Sequence, residues 1–263
     1  MKMGRGKVMD FRVSVLPVLW GEKVVMRLLD QSNLQLDMTQ LGFEEKVLAD
    51  FKGAIHKPFG MILITGPTGS GKSTSLYAFL STINSVHQRI ITIEEPVEYE
   101  LKGINQIAVR SDIGLTFATG LRHILRQDPN VVMVGEIRDE ETAEIAINAG
   151  MTGHLVISTL HANTTSGTFA RLINMDIEPF LLASTIIGVL GVRLLRTNCM
   201  HCAGPYTPEP APLEQLRQFE GDEYLQAMLD QQGFYRGAGC SACGDTGFSG
   251  RTSINELLVC TEP

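Results

Sequence analysis

From Val8 to Asp30 polar and apolar positions alternate with the period of a strand, with Phe11, Val13 and Val15 on one face and Arg12 and Ser14 on the other. A turn around Pro17 to Gly21 leads into Val24-Val25-Met26-Arg27-Leu28-Leu29, so the pattern predicts a hairpin. A hairpin of that size does not hold together alone, and it reads as the end of a larger upstream domain or as one edge of the main sheet. Gln31 to Gln40 is polar and reads as a linker. Phe43, Val47, Leu48 and Phe51 then recur at helical spacing in a stretch that runs to Ile55.

The texture changes at Met61. Short apolar runs, Met61 to Thr65, Ile90 to Ile93, Val131 to Val134 and Leu155 to Thr159, alternate with helical stretches. Such alternation predicts an α/β fold, a parallel sheet covered by helices on both faces.

The first of those runs feeds directly into Gly66-Pro67-Thr68-Gly69-Ser70-Gly71-Lys72-Ser73, and Thr74 to Leu80 reads as a helix. Glycines let the backbone turn tightly enough to aim several N–H groups at one point, and the helix start adds partial positive charge there. The loop therefore predicts a bound phosphate. Lys72 is placed to reach the β- and γ-phosphates of a nucleotide, the Ser73 hydroxyl to ligate Mg²⁺, and Thr74 to begin the helix.

The remaining strands end in residues able to do chemistry, as expected where a site lies at the carboxyl ends of a parallel sheet. Ile91-Thr92-Ile93 runs into Glu94-Glu95-Pro96-Val97-Glu98, and Val131 to Val134 into Gly135-Glu136-Ile137-Arg138-Asp139. An acid at an apolar strand tip suits binding Mg²⁺ through water or orienting the attacking water. His154 and His161 bracket the fourth strand. Taken one by one these features have plainer readings: the glutamates as a solvated turn, the histidines as turn residues. Arg122 and Arg126, one helical turn apart, equally suit an exposed charged face.

Composition narrows the partners. The 263 residues are 44% apolar and 19% charged, with a formal net charge of -7. That acidity argues against extended DNA or RNA as a substrate, because such binding draws on clustered lysine and arginine. Lys2, Arg5 and Lys7 are not followed by the apolar region of a secretory signal. Phe180 to Val192 is shorter than the about 20 residues needed to cross a bilayer. A cytoplasmic location follows as the expectation, and with it cysteines that serve as metal ligands or thiols.

Cys199-Met200-His201-Cys202 and Cys240-Ser241-Ala242-Cys243 form two such knuckles, separated by a Pro-rich, acidic insert from Ala203 to Gly239. Four thiolates paired in this way suit a closed, structural Zn²⁺ site. Cys260 reads as a small buried hydrophobe.

With these pieces placed, the sequence resembles the hexameric secretion ATPases of type II secretion and type IV pilus assembly over nearly its whole length. The resemblance rests on Gly66 to Thr74 as the Walker A loop, Ile91 to Glu98 as the acidic box and Gly135 to Asp139 as the Walker B end. Thr152 to His161 resembles the histidine box, and the paired knuckles followed by Gly250-Arg251-Thr252 resemble the assembly and secretion branch, since retraction relatives lack that metal motif.

The resemblance implies a RecA-like P-loop NTPase core over 36–198, a small β-rich piece ending a PAS-like domain over 1–35 and a tetracysteine zinc lobe over 199–263. It implies Glu94 as general base, Glu136 as Walker B acid and His161 as γ-phosphate sensor. It also implies nucleotide-facing arginines at Arg12, Arg27, Arg122, Arg126 and Arg138. The chain is then expected to hydrolyse ATP as a homo-hexamer on the cytoplasmic face of an inner-membrane platform protein. A pilus-retraction or DNA-uptake motor, or a nucleotide-binding scaffold with little turnover, are the alternatives. The pattern is not followed throughout: Glu95 stands where Asp is usual, Thr119 where Arg is frequent, and Ala162 where Thr is usual.

Overall fold

In a computed structural model the described residues are Lys2, Met3, Lys7, Val8 and residues 10–29, 38–231 and 233–260. Two short strands, β1 (Lys2–Met3) and β2 (Lys7–Val8), pair antiparallel. The expected hairpin follows as β3 (Asp10–Val18) and β4 (Gly21–Leu29), with Arg12 directly opposite Arg27. Its turn is tighter than the sequence pattern suggested: Pro17 stays inside β3 opposite Glu22, and only Leu19 and Trp20 lie between the strands. Proline is tolerated there because each strand of an isolated hairpin has an unpaired edge. Most of the expected linker, residues 31–37, lies outside the described residues, and Met38–Leu41 forms a short 3-10 turn.

The main body begins with α1 (Glu45–Ile55), then β5 (Gly60–Thr65), α2 (Lys72–Ile83), β6 (Ile90–Glu94) and β7 (Asn105–Ala108). It continues through α3 (Phe117–Ile124), β8 (Val131–Val134), α4 (Glu140–Met151), β9 (Leu155–Leu160), α5 (Thr165–Ile173), α6 (Pro179–Thr185) and β10 (Ile186–Asn198). After β11 (Ala203–Pro205) come α7 (Pro210–Glu220), α8 (Asp222–Gln231), β12 (Tyr235–Gly237) and β13 (Phe248–Val259).

Among the described residues the largest sheet has seven strands in the order β13-β10-β5-β9-β8-β6-β7. The pairs from β10 to β7 are all parallel. Both faces of this sheet are covered, and successive residues of one strand enter different cores. Met61 and Leu63 pack with Leu121, Ala146, Leu172 and Leu182 on one side, whereas Ile62 and Ile64 pack with Phe51, Leu76 and Phe79 on the other. The strand period of two places side chains on both faces, which is why β5, β6, β8 and β9 are continuous apolar runs.

The apolar stretch from Phe180 to Val192 is divided between α6 and β10, and among the described residues no helix is long and apolar enough to cross a membrane. Two compact units result. One comprises Met1–Arg193 with Ile254–Pro263 and contains the phosphate loop; the other, Leu194–Ser253, contains the cysteine knuckles, α7 and α8.

Candidate functional site

The loop between β5 and α2 has the backbone its glycines allow. Gly66, Gly69 and Gly71 sit at φ 149°, 77° and 98°. At Gly66 a Cβ would meet Ser70 Oγ and the Val192 carbonyl, each at 2.5 Å, so a side chain there closes the loop. Gly71 caps α2 without any side-chain cap hydrogen bond, leaving the first-turn amides to the loop's concavity.

Lys72 is 9% exposed, and its ammonium donates to the Gly66 and Pro67 carbonyls at 2.8 and 3.0 Å. Burial pulls its pKa down; Glu136 opposes that shift and Arg193 adds to it. Ser70 Oγ is buried with no hydrogen-bond partner, while Ser73 is exposed. A glycine loop turned through positive φ, a buried cation capping its own carbonyls and an orphaned hydroxyl together fit a polyphosphate. Ser73, next after the lysine, fits a magnesium ligand.

The acids at the strand tips divide into two kinds. Glu94 is 4% exposed, and both its oxygens are occupied. Thr92 Oγ1 and Gln106 Nε2 donate to Oε1 at 2.7 and 3.0 Å, and the Tyr77 hydroxyl donates to Oε2. Glu95, Glu136 and Arg138 form a second group, in which Glu95 and Arg138 are exposed and Glu136 is half-buried: Arg138 donates to Glu95 Oε2 at 2.7 Å and to Glu136 Oε1. His161 Nε2 lies 3.4 Å from Glu136 Oε2. The parallel sheet therefore brings Glu136, Arg138 and His161 together from the ends of β8 and β9.

Three hydroxyls that the sequence analysis passed over hold these tips. Ser158 Oγ donates to the Val134 carbonyl at 2.8 Å and Thr159 Oγ1 to that of Gly135 at 2.7 Å. Thr65 Oγ1 bonds the Leu160 and Ala162 carbonyls at 3.2 and 3.0 Å, fixing the turn that carries His161 beside the phosphate loop. Their signal was a hydroxyl inside an apolar run, which must find a partner when buried.

Two of the other arginines are engaged elsewhere. Arg122 pairs with Glu141 at 2.8 Å, and Arg126 donates to His123 Nδ1 at 2.7 Å. Arg12 Nη2 lies 3.8 Å from Glu98, and Arg27, its cross-strand neighbour, is exposed.

In the second unit the four sulfurs of Cys199, Cys202, Cys240 and Cys243 lie within 4.8 Å of one another. Sγ–Sγ separations are 3.9 Å for Cys199–Cys240 and for Cys202–Cys243, and 3.8 Å for Cys240–Cys243. Tetrahedral zinc with Zn–S near about 2.3 Å places its sulfurs about 3.8 Å apart, so the cluster fits that ion. The Cys243 thiol is held down at about 6. Burial pushes it up, but the Cys240 and Gly247 amides, donating at 3.2 and 3.3 Å, together with the neighbouring Cys240 and Cys202 thiols outweigh that push. Cys260, in the other unit, is half-buried against the core that contains Met61 and Leu63, and its N–H donates to the Ile187 carbonyl at 2.9 Å.

A parallel sheet with helices on both faces, a glycine loop closed by a lysine and acids on neighbouring strand tips define a P-loop NTPase fold. The family described as Type II/IV secretion system protein matches residues 1–263, and the chain belongs to it. It is 52% identical to the Type IV pilus assembly ATPase PilB of Myxococcus xanthus over 266 residues, 98% of this chain and 44% of that protein. It is 50% identical to the Type II secretion system ATPase E of Vibrio cholerae, over 97% of this chain and 49% of that protein. Among solved structures, the pilus retraction motor PilT with bound ADP aligns at TM-score 0.61 and 35% identity, over 84% of this chain and 66% of that one. The chain spans about half the length of the curated relatives it matches.

Proposed function

We propose that this chain is the ATP-hydrolysing core of a motor that powers type II secretion or type IV pilus assembly. The observation that carries it is the placement of Glu136 and His161 on strand tips beside a loop closed by Lys72. Lys72 exchanges its loop carbonyls for the β- and γ-phosphates of ATP. A water attacks the γ-phosphorus in line, the bond to the β–γ bridging oxygen breaks, and ADP and phosphate leave. Glu136 orients that water, and His161, in contact with Glu136, senses the γ-phosphate. Arg138 fixes Glu136 from the opposite side. Magnesium held through Ser73 would supply neutralisation of phosphate charge.

The resemblance implied Glu94 as the general base and Glu136 as the Walker B acid. Both oxygens of the buried Glu94 are taken up by Thr92, Gln106 and Tyr77, which leaves neither free for a water, so it is assigned the anchoring of its loop and Glu136 the water. Cys199, Cys202, Cys240 and Cys243 would hold a zinc ion in a structural role, and that tetracysteine set favours the assembly branch over retraction. Arg12 and Arg27 serve a neighbouring subunit of a homo-hexamer, and the ring sits against an inner-membrane platform protein. Phosphate release by the purified chain, compared with Lys72→Ala and Glu136→Gln, tests the assignment.

A further inference from the structure

Tyr77 lies on the helix that carries the phosphate-binding lysine, yet its side chain ends on the acidic turn after β6. It is 1% exposed. Its hydroxyl donates to Glu94 Oε2 and accepts the Glu98 N–H at 3.2 Å. Its ring stands edge-on to Tyr99, with centroids 5.5 Å apart and planes at 90°. Gln106 completes the clamp: besides Glu94, its Nε2 donates to the Tyr99 carbonyl at 2.9 Å, and its Oε1 accepts the Leu101 N–H at 2.7 Å.

Helix α2 and strands β6 and β7 thus meet on one buried carboxylate. The segment 95–104 is held at Glu98, Tyr99 and Leu101 by side chains of the elements around it. That segment opens with Glu95, whose carboxylate takes Arg138 at 2.7 Å, and the same guanidinium holds Glu136. A line of direct contacts therefore leads from the phosphate-loop helix to the acid that orients water. Lys72 stands outside it.

We propose that Tyr77 is a positioning residue for hydrolysis, fixing the 95–104 segment from the phosphate-loop helix and, through Glu95 and Arg138, setting the place of Glu136. The idea rests on Glu136 as the hydrolytic acid. Removing the hydroxyl leaves the Glu98 amide without its acceptor and Glu94 without one of three donors, whereas phenylalanine keeps the ring against Tyr99. Nucleotide binding, which depends on the loop and Lys72, is spared.

The test is Tyr77→Phe in the full chain, with steady-state kinetics, ADP binding and amide hydrogen exchange. The expected kcat falls about ten-fold or more, which one lost charge-assisted hydrogen bond accounts for, while KM and ADP affinity stay within about two-fold. Exchange at Glu98 and Leu101 accelerates roughly ten-fold, and exchange in β5 and β8 is unchanged. A normal kcat, or normal exchange at Glu98, overturns the proposal. So does a joint fall of kcat and affinity with faster exchange throughout the sheet, which marks a packing role alone. If the wild type itself releases no phosphate, the motor assignment fails; exchange at Glu98 then still decides whether Tyr77 holds the segment.

Discussion

The Lys72 ammonium donates to the Gly66 carbonyl at 2.8 Å, so the phosphate loop is closed on its own lysine. A buried cation hydrogen-bonded to neutral carbonyls is poised for an anion. Lys72→Ala removes a charge-assisted contact, and ATP affinity is expected to fall about ten-fold or more by equilibrium binding. Burial also lowers the Lys72 pKa below 10.5, so at high pH the unfolded chain binds the extra proton. Stability therefore gains a component that rises with pH in the window below 10.5, and denaturant titrations of Lys72→Met lose that component.

Arg138 links acids from two strands while itself half-exposed. Arg138→Ala is expected to cost under about 1 kcal/mol of stability, because exposed ion pairs contribute little. Its kcat should nevertheless fall roughly ten-fold or more, since Glu136 loses its guanidinium. A large drop in thermal midpoint with a normal kcat is the opposite outcome.

The glycine loop and the four central strands were legible because each combines an apolar run with a sharp terminus. Edge strand β7 was not: Asn105-Gln106-Ile107-Ala108 is half-exposed and carries neither a run nor a clean alternation. Strand β10 was hidden because an apolar run entering from α6 reads equally as buried helix or strand. Helix α7 of the cysteine-flanked insert was masked by prolines, one of which, Pro210, begins the helix where a missing N–H costs nothing. At the site, sequence grouped Glu94 with Glu95. Adjacent residues at a strand tip point to opposite sides, and only the structure shows that Glu94 turns inward to Tyr77.

Equimolar zinc is expected in protein purified without chelators, measured by elemental analysis. Structural zinc contributes on the order of 10 kcal/mol to folding. Chelation, or Cys199→Ser, should raise hydrogen exchange within Leu194–Ser253 before it changes exchange in the strands of the nucleotide core. Metal-free protein with unchanged exchange in that unit contradicts the site.

Arg12 and Arg27 face each other across the hairpin. If they serve a neighbouring nucleotide, specific activity rises with protein concentration, and Arg27→Ala slows turnover by roughly ten-fold or more, the scale of a lost transition-state cation. Mixing Arg27→Ala with Lys72→Ala subunits should then restore part of the activity, because each supplies what the other lacks. Concentration-independent turnover, unaffected by Arg27→Ala, reduces both arginines to solvated charges.

The most direct measurement is phosphate release alongside nucleotide binding for the wild type, Lys72→Ala, Glu94→Gln and Glu136→Gln. The wild type is expected to turn over ATP and Lys72→Ala to lose binding. Glu136→Gln should bind ATP with kcat reduced about a hundred-fold or more, the usual scale for an acid–base group, and Glu94→Gln should retain more activity than Glu136→Gln. Wild-type turnover by Glu136→Gln, or no phosphate release by the wild type at any protein concentration, contradicts the account.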